Sequence, residues 1–122
     1  MVMLRLIANQ PNETNFPESQ LVVFTPMKVN HAKPSDGSSY GNTFSPNSQG
    51  LCEADYVKAV KEICDKYSVR VKDMYTESGI SPFNEEQKTA YMGDGIHYLD
   101  VGYERLAKTA IAPFINNCIG VN

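Results

Sequence analysis

The sequence has no long apolar stretch. No uninterrupted run exceeds four residues, as in Leu21-Val22-Val23-Phe24, whereas a membrane-spanning helix needs about 20. A membrane span is therefore not expected. Basic charge is also in short supply, with eleven Lys and Arg against fourteen Asp and Glu and a net charge of -3. No electrostatic footprint for a polyanion results, which removes nucleic acid and anionic membrane surfaces from the expected partners. The three cysteines, Cys52, Cys64 and Cys118, are widely spaced, form no C-x-x-C pair and are joined by only two histidines. That pattern is not a zinc site, and no metal or cofactor is implied. Buried thiols are the default for Cys64 and Cys118; one disulfide plus a free thiol stays open. Met1 to Ala8 carries a single positive charge and is followed by no small-residue cleavage site, so it reads as part of a helix or strand rather than a secretory signal. Localisation is left open.

What the chain does have is the composition of a folded domain: 122 residues, 42% of them hydrophobic. That is one domain's worth of chain at most. Met3 to Asn9 is a short apolar segment that breaks at Pro11. Leu21 to Thr25, closed by Pro26, is apolar, β-branched and aromatic without alternation, the mark of a strand buried on both faces. Residues 27–50 are rich in serine, glycine, proline and asparagine and read as a long surface loop, either the rim of a site or a floppy insertion. Leu51 to Tyr67 repeats apolar residues at Val57, Val60, Cys64 and Tyr67, the stripe of an amphipathic helix whose Lys58, Lys61, Glu62 and Asp65 form a solvated face. Ser68 to Tyr75 alternates as a half-exposed strand does. Thr76 to Met92 reads as loop, with one helical turn around Asn84 to Lys88. Tyr98 to Cys118 carries a long helical stripe, Leu99, Tyr103, Leu106, Ala107, Ala110, Ile111, Phe114 and Ile115, with a kink expected at Pro113. The order is α/β: strand, long loop, helix, strand, loop, helix. Its two strands and crossover helix form one parallel βαβ unit, which needs further strands to make a sheet.

The chemistry concentrates in Gly93-Asp94-Gly95-Ile96-His97, where an Asp and a His lie three residues apart in a glycine-rich turn ahead of the last helix. A histidine so placed can act as a general base near neutral pH. The carboxylate can accept from its Nδ1–H, fix the tautomer and leave Nε2 to take a proton from a nucleophile. The structural alternative is that Asp94 caps the turn and His97 is an ordinary loop residue. His31, on the C-terminal side of a strand, is a candidate for the rim of a ligand site, with an exposed loop histidine as the plainer reading. Asp73 reads as a capping or turn residue, and Glu85-Glu86 as helix-start charges.

The segment Asp94-Gly95-Ile96-His97-Tyr98-Leu99-Asp100-Val101-Gly102-Tyr103-Glu104-Arg105-Leu106-Ala107 resembles the last block of the SGNH (GDSL-like) hydrolases, an Asp-x-x-His followed by a short turn, a glycine and the C-terminal helix. Pro17 to Pro26 is similar to the penultimate core strand of that family. Tyr56 to Lys66, Val69 to Tyr75 and Gly79-Ile80 are similar to the helix, last strand and loop that follow it. The resemblance implies a three-layer, flavodoxin-like fold of which residues 1–122 form only the C-terminal βαβα part, with residues 27–50 inserted. It implies that His97 is the general base of a Ser-His-Asp triad and Asp94 the residue that orients it. No cofactor is implied, and the substrate would be a small ester or an O-acylated carbohydrate.

The family also needs a Gly-Asp-Ser for the nucleophile and a Gly-x-Asn-Asp for the oxyanion hole, and neither occurs in the sequence. Ser35, Ser38, Ser39, Ser45 and Ser48 lie in the insertion, where nothing resembles a nucleophile elbow. The chain alone is expected to be inactive and to work with a complementary N-terminal segment or a second copy. A non-catalytic binding or assembly module, pairing through an exposed strand edge, is the alternative.

Overall fold

The computed structural model describes residues 21–31 and 41–120. The Met3 to Asn9 segment and Ser35, Ser38 and Ser39 lie outside them.

Strand β1, Val22–Phe24, comes from the apolar run before Pro26. It pairs in parallel with β2, Arg70–Lys72, in the register Val22↔Arg70, Val23↔Val71, Phe24↔Lys72. Helix α1, Glu53–Lys66, is the crossover. Its stripe is the expected one, with Val57 and Cys64 buried and Val60, Ile63 and Tyr67 half-buried. The start of α1 is fixed by Asp55, whose carboxylate accepts the Cys52 N–H at 2.8 Å; the acids of the first turn and Lys66 in the last suit the helix dipole. Among the described residues the result is a mixed α/β arrangement on a two-stranded parallel sheet.

Three expectations are corrected. First, β1 is half-buried along its length rather than enclosed, because among the described residues only β2 flanks it. Second, the strand expected over Ser68 to Tyr75 is confined to Arg70–Lys72. Asp73 ends it by capping the short helix α2, Met74–Glu77, where its carboxylate accepts the Thr76 N–H at 3.2 Å. The same carboxylate takes Lys61 Nζ at 2.7 Å and the Thr25 hydroxyl at 3.4 Å, so Lys61 is not simply part of a solvated face. Burial alone would raise the Asp73 pKa; the hydrogen bonds from Lys61 and Thr76 outweigh it and hold the carboxyl below its ordinary range. Third, the C-terminal helix starts at Asp100, and Leu99 and Tyr103 of its proposed stripe are exposed.

Helix α3, Glu85–Tyr91, is longer than the single expected turn and is capped by Asn84, which accepts the Gln87 N–H at 3.0 Å. The last helical stretch runs as α4, Asp100–Leu106, a π-helical turn over Ala107–Ile111, and α5, Ala112–Ile119, ending at Gly120 in the left-handed region at φ 74°. The irregularity thus sits immediately ahead of Pro113. A proline has no N–H for the preceding turn and its ring crowds the carbonyl four residues back; the wider π turn makes room for it. The core gathers Met74, Ile80, Met92, Tyr98, Leu106 and Ala110, with Phe24, Met27, Tyr91 and Ile111 packed against it. All three cysteines are free, with Cys64 and Cys118 buried. Among the described residues no helix is long and apolar enough to cross a membrane.

Candidate active site

The turn between α3 and α4 is built on glycines. After α3 the chain reverses at Gly93, φ 67°, and again at Gly95, φ 82°, conformations that cost a side-chain-bearing residue energy. The Leu99 N–H closes the turn onto the Tyr91 carbonyl at 2.8 Å. Within it Asp94 uses both carboxylate oxygens. Oδ1 accepts the backbone N–H groups of Ile96 at 2.8 Å and His97 at 2.7 Å, and Oδ2 lies 2.6 Å from His97 Nδ1. One oxygen thus caps the turn and the other meets the imidazole. Because the backbone bonds fix the carboxylate, the imidazole meets an acceptor that cannot swing away. Partial burial raises the Asp94 pKa, but the bonds from the His97 ring and from the His97 and Ile96 amides outweigh it, holding Asp94 well below the ordinary carboxylate range. An ionised partner at Nδ1 favours the tautomer protonated there, which leaves Nε2 as the proton-accepting nitrogen. The His97 side chain is 80% exposed and Asp94 43%.

The described parts of the 27–50 segment, residues 27–31 and 41–50, are pinned beside this turn. The Asn30 N–H donates to the Gly95 carbonyl at 2.9 Å, and the Asn30 side-chain amide donates to the Pro82 carbonyl at 3.2 Å. Asn30 and Asn42 form an antiparallel bridge. Buried Thr43 accepts the Val29 N–H at 2.8 Å through its hydroxyl, which in turn donates to Glu53 at the start of α1. Phe44 and Phe83 meet with ring centroids 5.1 Å apart. These bonds hold the described residues of the segment against the Asp94–His97 turn and the start of α1. His31 follows Asn30 directly and is half-buried. Ser45 is used in the loop itself, its hydroxyl accepting the Asn42 N–H at 3.1 Å, and Ser48 is exposed. Neither approaches the role of a nucleophile by any contact with His97. Among the described residues no cluster of three His, Cys, Asp or Glu could hold a metal ion.

Sequence reasoning missed Asn30, which ties the segment to the Asp94–His97 turn, and Thr43, which ties its two described parts together and to the start of α1. Their signal is long-range and no local pattern carries it. Gly95 was visible as a turn residue, but its second reason was not: a β-carbon there would stand 2.1 Å from the Asn30 carbonyl oxygen.

No known family description matches the chain, and no functionally curated protein does. Solved structures do. One, 40% identical, superposes with a TM-score of 0.79 over 94% of this chain and 48% of its own length. A second, a structural-genomics target from Lactobacillus plantarum, is 21% identical, with a TM-score of 0.70 over 93% of this chain and 51% of its own; that likeness speaks to the fold alone. The chain spans about half the length of each.

Proposed function

We propose that this chain is the C-terminal part of a serine ester hydrolase of the SGNH type, to which it contributes the base and its orienting acid. The observation that carries the reading is the contact of His97 Nδ1 with Asp94 Oδ2 at 2.6 Å, on a carboxylate whose other oxygen is occupied by two backbone amides. Such an arrangement leaves Nε2 to accept the proton of a serine hydroxyl as the oxygen attacks an ester carbonyl. The imidazolium, stabilised by Asp94, then returns that proton to the departing alkoxide, and an acyl-enzyme remains. Water, deprotonated by the same Nε2, releases the acid and restores the serine. The nucleophile and the donors that stabilise the oxyanion come from a complementary half, in keeping with the match to about half of each similar chain. Small esters, O-acylated carbohydrates among them, are the substrate class.

The test is hydrolysis of p-nitrophenyl acetate by the chain together with the remaining half of the 40%-identical protein. Hydrolysis that falls by about 10³-fold or more in His97→Ala supports the reading. A rate unchanged by that substitution overturns it.

A further inference from the structure

Two phenylalanines from distant parts of the chain meet on the surface beside the Asp94–His97 turn. The ring planes of Phe44 and Phe83 are tilted by 40°, and the two residues are 59% and 40% exposed. An exposed apolar patch with a polar border marks a ligand-binding surface more often than a scattered surface residue does. The backbone under each ring is fixed. The Phe44 N–H donates to Asn42 Oδ1 at 2.9 Å, and the Phe44 carbonyl accepts from the Cys52 thiol at 3.3 Å. The Phe83 N–H donates to the Ser81 hydroxyl at 3.3 Å. Asn30 connects both rings to the turn. It bonds the Gly95 carbonyl, two residues before His97, and the Pro82 carbonyl, one residue before Phe83, and it bridges Asn42, two residues before Phe44. The rings and His97 therefore share one frame, held without any contribution from a ligand.

The border of the rings says what suits them. Asn42 and Asn84 flank the two phenylalanines in sequence, and each spends its side-chain oxygen on a backbone N–H, that of Phe44 and that of Gln87. Among the described residues neither side-chain NH2 group has a hydrogen-bond acceptor, so both are left to donate outward. Glu85 and Glu86, exposed beside Phe83, disfavour an anion. The matching ligand is neutral, has an apolar face and carries acceptor oxygens around the edge of that face. A pyranose ring has this chemistry, with C–H groups on the face and hydroxyl oxygens at the edge. An alkyl chain has the apolar surface but no oxygen for either asparagine. We propose that Phe44 and Phe83 form a subsite for the sugar ring of a neutral O-acylated carbohydrate, with Asn42 and Asn84 donating to its hydroxyl oxygens. The inference rests on the hydrolase reading and narrows its substrate class from small esters to sugar esters. The shared frame through Asn30 then sets the position of the sugar relative to the base.

The test is an NMR titration of the 122-residue chain with a mono-O-acetylated methyl β-xyloside and, separately, with methyl octanoate. Binding needs no nucleophile, so the chain alone suffices. The sugar ester should shift the ring signals of Phe44 and Phe83 with a Kd on the order of 1 mM, and methyl octanoate should bind more weakly. Phe44→Ala and Phe83→Ala should each weaken binding of the sugar ester by roughly threefold to tenfold. Should an alanine variant unfold, Phe44→Leu and Phe83→Leu keep the apolar bulk without the flat ring and are expected to lose binding likewise. Asn84→Ser keeps an oxygen to cap α3 and removes the amide donor, so it should also weaken the sugar ester. Ring signals that do not move, tighter binding of methyl octanoate, or binding unchanged in the phenylalanine variants would each overturn the proposal. Ring shifts without hydrolysis of the sugar ester by the chain and its complementary half would leave the subsite standing and defeat the hydrolase reading. Hydrolysis of p-nitrophenyl acetate without ring shifts would do the reverse.

Discussion

Asn30 and Gly95 meet backbone to backbone: the Asn30 N–H donates to the Gly95 carbonyl at 2.9 Å, and its carbonyl oxygen lies where a β-carbon on residue 95 would be. This contact joins the segment after β1 to the turn that holds Asp94 and His97. Gly95→Ala combines a collision with backbone and a left-handed φ of 82°. It should destabilise the protein by about 2 kcal/mol or more and raise exchange of the Asn30 amide, measured by urea unfolding and amide exchange. An unchanged midpoint would show that the turn does not need this approach.

Asp94→Asn keeps an oxygen for the Ile96 and His97 amides but places an amide in front of His97 Nδ1. Stability should change little. The ring should shift toward the Nε2–H tautomer, visible in its nitrogen chemical shifts, because an amide N–H wants an unprotonated Nδ1. A ring that keeps the wild-type tautomer would mean the carboxylate does not set it.

Thr43→Val preserves shape and removes the hydroxyl that accepts from Val29 and donates to Glu53. With a buried N–H left unpaired, a loss of about 1–3 kcal/mol is expected in chemical denaturation, with faster exchange across residues 41–51.

The pH dependence follows from two carboxyls, Asp73 and Asp94, both depressed in the fold. A depressed carboxyl contributes stability that is present above its unfolded pKa, about 3.9, and is lost as pH falls through its folded value. Melting temperature should therefore hold steady down to about pH 4 and decline below it. Asp73→Asn should lower the plateau near neutral pH and flatten the acid limb. The Asp94 share is smaller, since that carboxyl is exposed enough for solvent and salt to screen its interactions.

The thiols should sort by burial. Cys64 is fully enclosed and its thiol pKa is pushed up by that burial, whereas Cys52 is half-exposed with its sulfur near the Phe44 carbonyl. Iodoacetamide is expected to modify Cys52 first and Cys64 only on unfolding, read by peptide mass spectrometry. Early modification of Cys64 would contradict the packing of α1.

Legibility in the sequence followed the range of the interactions. The stripe of α1, the β1 run and the parallel βαβ order are set by local periodicity, and all three are in the structure. The early end of β2 is the local cap of Asp73 on the Thr76 amide, a role the sequence offered for Asp73; not legible was that the same carboxylate holds Lys61 and Thr25, 12 and 48 residues away. Likewise Leu99 and Tyr103 fit a helical stripe in the sequence but lie on exposed surface, because the Tyr91–Leu99 backbone bond and the close approach of Gly102 to the Tyr91 carbonyl set which face of α4 turns inward. The Asp94–His97 pair was legible because three residues and two glycines suffice to bring the side chains together.

The most direct measurement is labelling by a fluorophosphonate, which phosphonylates a serine only when a base activates it. With the complementary half present, one serine of that half should be labelled, and His97→Ala should abolish the label. Labelling that survives unchanged in His97→Ala, or no labelled serine at all, would contradict the assignment of His97 as the base.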